Sequence, residues 1–274
     1  MFAATSLLFV PGARPDRFDK ARVAGAGLTA IDLEDAVAAD AKDAARNDAL
    51  AAIASGDGYA LRMNGVATRA GIADLHALAD AETLPAVMLV PMVEAAAEIA
   101  VVRGALGERC PALVPLVETP RGLRNALAIA QEEGVTAMMF GGGDFAGELG
   151  VRLSWEPLLA ARQQLLLACA EAHVPAIDVP YIHLDDEEGL KAECAKARAL
   201  GFAAKAAIHP RQVAAIDAAF EPSERECNEA AEALRAFDEG GGSVVRFNGR
   251  MLEAPLVKHY RAILARKERT TVHA

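Results

Sequence analysis

The sequence predicts an α/β fold, a (β/α)8 barrel carrying a C-terminal helical and hairpin extension. Three observations point there. Eight short apolar runs bounded by turn residues recur within the first 208 positions, separated by Ala-rich segments with helical spacing. The runs are apolar almost throughout instead of alternating, as expected of parallel strands covered on both faces. Polar side chains, among them Asp32, Glu34, Asp35, Arg62, Asn64, Glu118, Asp144, Asp178 and His209, gather just inside or beyond the C-terminal ends of these runs, the face on which barrels assemble active sites. A doubly wound sheet would favour a glycine fingerprint after its first strand. FVPGARPDRF lacks GxGxxG, and GGGD after the sixth run lacks the Gly-Lys-Ser/Thr of a P-loop.

Taken in order, strands are expected at 6–10, 28–33, 59–63, 86–90, 112–117, 137–141, 176–179 and 204–208. Pro11-Gly12 stops the first, Pro91 the fourth, Thr119-Pro120 the fifth, the Gly141–Gly143 triplet the sixth and Pro180 the seventh. Helical patterns fill the gaps at 17–24, 39–54, 71–79, 95–103, 123–133, 152–172 and 186–200. The barrel is thereby assigned to residues 1–220, and 221–274 to a lid or oligomerisation extension. That extension reads as a helix over 223–237, a Gly240-Gly241-Gly242 hinge, a hairpin in SVVRFNGRMLEAP and a last helix from residue 255.

Composition narrows the function classes. A 53% hydrophobic chain with only 5% aromatic residues builds its core from Ala, Leu, Val and Ile. A net charge of −10 argues against nucleic acid and against an electrostatic membrane surface, so any phosphate site must be a local basic patch. Cys110, Cys169, Cys194 and Cys227 are scattered and form no CxxC pair, which fits reduced structural thiols. MFAATSLLFVPG has no basic lead and its apolar run stops at Pro11, so neither a signal peptide nor a membrane span is expected. A cytoplasmic enzyme is the expectation.

Two carboxylates stand out. Glu118 in LVPLVETPRG and Asp144 in AMMFGGGDFAGELG each follow a buried run, where oxygen donors could hold a hard cation such as Mg2+. Each could equally cap the helix that follows. Arg62, in YALRMNG, alternates toward the barrel interior and could grip a substrate carboxylate or pair with Glu34. Asp32 and Glu34, with Asp35, add acids that need a cation to offset their repulsion. Arg14, Arg17 and Lys20 follow the first strand as either a solvated helix face or a phosphate patch. His209 reads as a structural histidine at the end of the eighth strand, and Glu253 on composition alone is an exposed acid.

Together, LLFVPGARPDRFDKA, IDLEDAVAADAKDAAR, LRMN, LVPLVETPRGLRNA, FGGGDFAGELG, GFAAKAAIHPRQV and GRMLEAP resemble the HpcH/HpaI aldolase superfamily. Within it they are similar to the citrate lyase β-subunit-like proteins, which include citramalyl-CoA and malyl-CoA lyases. The resemblance implies a barrel assembled as a homotrimer or hexamer, using Mg2+ and a coenzyme A thioester to cleave or form a carbon–carbon bond with a 2-oxoacid. It implies Glu118 and Asp144 as metal ligands, Arg62 and the Gly141 amides at the oxoacid, and Arg14, Arg17 and Lys20 at the CoA phosphates. Asp32 and Glu34 would orient Arg62 and metal-bound water. The family's C-terminal GxMID motif carries a catalytic aspartate delivered from a neighbouring subunit, and here Glu253 stands at that position. Other readings are the β subunit of a multisubunit citrate lyase acting on a carrier-bound thioester, a CoA-independent aldolase, and a CoA-binding protein with lost catalysis.

Overall fold

The computed structural model describes residues 4–272, with side chains through residue 267. The ends of the N-terminal apolar stretch and of the sequence lie outside the described residues. Eight parallel strands close into a barrel in chain order, β1 pairing with β8. They are β1 (Ser6–Pro11), β2 (Leu28–Asp32), β3 (Ala60–Arg62), β4 (Val87–Val90), β5 (Ala112–Val117), β6 (Met138–Phe140), β7 (Ala176–Asp178) and β8 (Ala204–Ala207). Seven of them differ by a residue or two from the apolar runs, and β5 coincides.

The helices are α1 (Phe18–Arg22), α2 (Lys42–Ala54), α3 (Arg69–Asp80), α4 (Ala96–Leu106), α5 (Pro120–Arg124) and α6 (Ala126–Ala130). They continue with α7 (Gly142–Leu149), α8 (Trp155–Ala172), α9 (Glu187–Leu200) and α10 (Val213–Phe220). Local chemistry sets several starts: Thr68, Thr119 and Asp186 each accept the backbone N–H three residues on, and Pro120 occupies the first turn of α5. The single helix expected over 123–133 is two, broken at Asn125, whose side-chain amide instead donates to the Glu94 carbonyl. Helix α10 was not anticipated, and α7 only as the helix that Asp144 could cap; Asp144 lies within its first turn, not ahead of it. The three glycines of GGDFAGEL have poor helix propensity, and burial of Phe145 and Ala146 overrides it.

Inside the barrel, Leu7, Leu89, Val114, Leu116 and Met139 interdigitate with Ala30, Ala60, Ala137, Ala204 and Ala206. Strand residues alternate between interior and helix-facing sides, and this two-residue period decides which polar residues reach the mouth. The interior row of β2 ends on Asp32, that of β3 on Arg62, and that of β5 runs through Val114 and Leu116 to Glu118. Asp178 and Lys205 have the opposite parity and point between sheet and helices.

The chain forms two compact units that meet after Asp217 in the sequence. The second unit contains α11 (Glu224–Glu239), the antiparallel pair β9 (Val245–Phe247) and β10 (Arg250–Leu252), and α12 (Ala254–Val272). Its own small core is Ala233, Phe237, Leu252 and Val257, flanked by Leu234, Val245, Phe247 and Tyr260. Ser223 and Glu226 close a reciprocal cap at the start of α11. Asn248-Gly249, both at positive φ, make the hairpin turn.

Candidate active site

Arg62 is the centre of the site. Its Nε and Nη2 donate to Asp32 Oδ1 and Oδ2 at 2.7 and 2.6 Å, a two-point fork set by direct strand register, since Asp32 on β2 lies opposite Arg62 on β3. Nη1 lies 3.0 Å from Glu34 Oε2 and 3.4 Å from Asp35 Oδ2, and the guanidinium stacks 4.8 Å over the Phe9 ring. Glu34, the partner expected from sequence, is present but secondary to Asp32. A guanidinium has five N–H bonds. With Asp32 and Asp35 served, one N–H on each of Nη1 and Nη2 is left for a ligand.

Arg62 and both expected metal ligands line one cavity of about 420 Å³ at the barrel mouth, with Asp32, Asp35 and Gly141. Leu116, Met139, Leu153, Ile182 and Ile208 supply its apolar wall. Glu118, just past β5, is only 3% exposed. Its Oε2 accepts the Met92 backbone N–H at 2.6 Å. The rest of the carboxylate lies against Gly141, where an added Cβ would fall 2.0 Å from Glu118 Cγ and 2.5 Å from Oε1. Asp144 stands exposed in the first turn of α7.

The electrostatics are those of a site short of positive charge. Burial pushes the Glu118 carboxyl up to about 7, against the Met92 N–H and Arg62, with Asp144 and Asp35 adding to the rise. Burial likewise pushes Glu34 up to about 8; Arg62 opposes this, and Glu118, Asp35 and Asp32 reinforce it. Asp144 is also raised, by desolvation and then by Asp35. Burial acts to lower Arg62, but its bonds to Asp32 and the charges of Asp32, Glu34 and Asp35 outweigh it and raise its affinity for a proton. Glu34 Oε2, though close to Arg62 Nη1, is off the N–H direction and buried without a hydrogen bond. Uncommitted carboxylate oxygens with raised proton affinities, all of them hard donors, fit a divalent cation such as Mg2+. No three His, Cys, Asp or Glu side chains among the described residues form a complete metal cluster. Glu118 and Asp144 would therefore leave coordination positions open for substrate and water.

The remaining expected residues fall elsewhere. Arg14 is folded onto Asp16 by two hydrogen bonds of 2.8 and 2.7 Å, so its charge is locally met. Arg17 and Lys20 stay exposed on the turn and helix after β1. His209 caps the turn after β8, its Nδ1 accepting the Arg211 N–H, in keeping with a structural role. Asp178, grouped with the mouth acids on sequence, is buried behind β7 between Arg162 Nε at 2.8 Å and Lys205 Nζ at 2.7 Å. Glu253 belongs to the second unit, exposed, its carbonyl accepting N–H groups from Leu256 and Val257 at the start of α12. Met92 and Phe9 were not foreseen. The two-residue alternation of β1 could have flagged Phe9, whereas a backbone donor leaves no mark on a sequence.

A sequence profile of the HpcH/HpaI aldolase/citrate lyase family matches residues 5–210. The chain belongs to this family. A relative named (3S)-malyl-CoA thioesterase, from Cereibacter sphaeroides strain KD131, is 37% identical over 278 residues, spanning 96% of this chain and 94% of that protein. The human mitochondrial citramalyl-CoA lyase is 31% identical, covering 92% of this chain and 82% of the enzyme. Among solved structures, CitE of Mycobacterium tuberculosis in complex with magnesium, acetoacetate and coenzyme A superposes with a TM-score of 0.84 at 30% identity, over 97% of this chain and 98% of that one. No described helix is long and apolar enough to cross a membrane, and all four cysteines are free thiols.

Proposed function

We propose that this family member is a Mg2+-dependent carbon–carbon lyase. Its substrate is a 3-hydroxyacyl-CoA such as citramalyl-CoA or malyl-CoA, which it cleaves to, or forms from, acetyl-CoA and a 2-oxoacid. The observation that carries the reading is the barrel-mouth cavity itself. Arg62, with two N–H bonds that no described residue accepts, lines one cavity with two carboxylates, Glu118 and Asp144, whose proton affinities are raised by burial and by neighbouring acids, a crowding that a bound cation would relieve. That pairing of anion grip and cation seat suits a ligand with a carboxylate beside a hydroxyl or carbonyl oxygen. The human lyase and the magnesium, acetoacetate and coenzyme A complex of CitE support the same assignment.

In this reading Glu118 and Asp144 hold Mg2+, which when bound supplies positive charge to the oxygen that becomes the oxoacid carbonyl. Arg62 holds the neighbouring carboxylate through its Nη1 and Nη2 edge while Asp32 fixes the guanidinium plane. The Gly141 N–H is spent on the Val117 carbonyl at 3.0 Å, so the amides for the same ligand come from its neighbours Gly142 and Gly143 in the first turn of α7. Arg17 and Lys20, with Arg14 once it leaves Asp16, receive the CoA phosphates. Glu253, contributed by a neighbouring protomer of a trimer or hexamer, delivers the proton to the acetyl-CoA α-carbon. Replacing an aspartate with glutamate at that position adds one methylene of reach.

Offering each of citramalyl-CoA and malyl-CoA with Mg2+ and identifying the products by mass spectrometry tests this. Acetyl-CoA with pyruvate or glyoxylate supports the lyase. Free CoA with an intact hydroxyacid would instead favour thioester hydrolysis, a second reading prompted by the name of the 37% identical relative. Mixing Glu253→Gln with Asp144→Ala protomers should recover activity if the acid crosses between subunits. No recovery would remove Glu253 from that role.

A further inference from the structure

Three non-glycine residues among those described have positive φ, and two have structural reasons. His173, at φ 58, is the left-handed C-cap of α8, and Asn248, at φ 47, sits in the β9–β10 turn. Met92, at φ 55, is neither: it is the second residue after β4, and no helix ends there. An unbranched side chain in this region is uncommon and strained, and persists only where its surroundings hold it.

Those surroundings are supplied by the segment that also supplies Glu118. Val93 N donates to the Leu116 carbonyl at 3.2 Å, tying the loop to β5. Glu94 is held from several sides: its Oε1 accepts from Thr119 Oγ1 at 2.7 Å, its Oε2 from Arg121 Nη1 at 3.1 Å, and its carbonyl from Asn125 Nδ2 at 2.7 Å. Gly122 completes the fit, because a Cβ there would lie 2.4 Å from the Val93 carbonyl oxygen. The ETPRG stretch therefore clamps the very loop whose N–H reaches back to its own first residue.

We propose that Met92 is a positioning residue for the metal site: its left-handed backbone aims the N–H at Glu118 Oε2, fixing the carboxylate so that Oε1 is presented to the cation. Oε1 accepts no hydrogen bond among the described residues, while Gly141 leaves the room it needs. The side chain of Met92 has no part in this. The proposal rests on Glu118 being a metal ligand, as put forward above.

The test separates the N–H from the side chain and from folding. Replacing methionine 92 with its α-hydroxy analogue turns the amide into an ester and deletes only the N–H. Mn2+ affinity, read by electron paramagnetic resonance without substrate, should fall by roughly tenfold, the scale of one hydrogen bond to a carboxylate. Met92→Gly keeps the N–H and suits the left-handed backbone, so its Mn2+ affinity should fall far less than that of the ester. Glu94→Ala, which opens the clamp while leaving Glu118 in place, should weaken Mn2+ binding severalfold, and circular dichroism would confirm that it folds. Undiminished Mn2+ affinity in a folded ester variant, or equal losses in ester and glycine variants, would overturn the proposal. Glu118→Ala is the control: retained Mn2+ binding there would instead dismiss Glu118 as a ligand.

Discussion

One cluster of charge lies behind β7 and β8 and another at the barrel mouth, and they behave oppositely. Behind β7 and β8, Arg162, Asp178, Lys205 and Glu193 alternate in sign: Arg162 bonds Asp178, and Lys205 bonds both Asp178 and Glu193, at 2.8 and 2.7 Å, then 2.8 Å. A third bond from Lys205 goes to the Val179 carbonyl, and the Arg162 guanidinium is sandwiched by Phe140 and Trp155. At the mouth, Asp32, Glu34, Asp35, Glu118 and Asp144 crowd around Arg62, with Lys42 Nζ held on the Leu33 and Glu34 carbonyls. Burial penalises Asp178 too, but Lys205 and Arg162 outweigh it and hold that carboxyl below its usual range. Only at the mouth does burial win. The balanced cluster meets its own charges as folded, although Arg162 Nη1 is buried without a hydrogen-bond partner; in the proposed function the unbalanced one is met by the cation it binds.

The largest effect expected from this contrast is on folding. Lys205→Met leaves two acids without their shared cation and should cost about 3–5 kcal/mol in denaturant titrations. Glu118→Gln removes surplus negative charge and should leave the metal-free protein as stable as before, or roughly 2 kcal/mol more stable at pH 8, while lowering turnover at least a hundredfold. A destabilised Glu118→Gln would erase the distinction between the clusters.

The next is a pH dependence of opposite sign. Glu118 and Glu34 have folded values raised to about 7 and about 8, so the stability they contribute is full below the unfolded carboxylate range and is lost as pH rises through those values. Asp178 is lowered, so its contribution is present above the unfolded range and lost as pH falls through its folded value. The metal-free melting temperature should therefore drop between pH 6 and 8.5, and Mg2+ should restore more of it at 8.5 than at 6. Calorimetric scans at both pH values check this.

Arg62→Lys sharpens the contrast within the mouth. A point charge cannot serve Asp32 and a ligand carboxylate at once, so KM for every 2-oxoacid should rise roughly ten- to a hundredfold with a smaller change in kcat. The smallest effect concerns cations outside both clusters. Neutralising Arg17 and Lys20 together should weaken CoA binding about threefold to tenfold, less so at high salt, as titration calorimetry would show.

The barrel was legible because buried parallel strands write themselves as unbroken apolar runs, and Pro and Gly mark where they stop. Glu118, Asp144 and Arg62 were legible because acids and an arginine at strand ends are conspicuous among Val, Leu and Ala. The structure brings these three into one cavity with Asp32. Asp178 was grouped with them because a list of strand-end acids ignores parity; the row of Ile177 fills the barrel, so its neighbour faces the helices. Lys205 and Arg162 were hidden for the same reason, one inside an apolar strand and the other within an amphipathic helix. The preference of Arg62 for Asp32 over Glu34 depended on register, which pairing alone reveals. Helix α7 was legible only as a start after Asp144, because its leading glycines disguise where it begins.

The gap at Gly141 ties two positions of the sequence into one inherited unit. A methyl group there occupies the volume of the Glu118 side chain, so Gly141→Ala should damage the enzyme about as badly as deleting the acid, although nothing is taken away. Shortening the acid does not open the gap, because the atom nearest the added methyl is Cγ and aspartate keeps its Cγ. Lineages should therefore hold glycine at 141 for as long as they hold a carboxylate at 118, and alanine at 141 should appear only where the acid has already been lost.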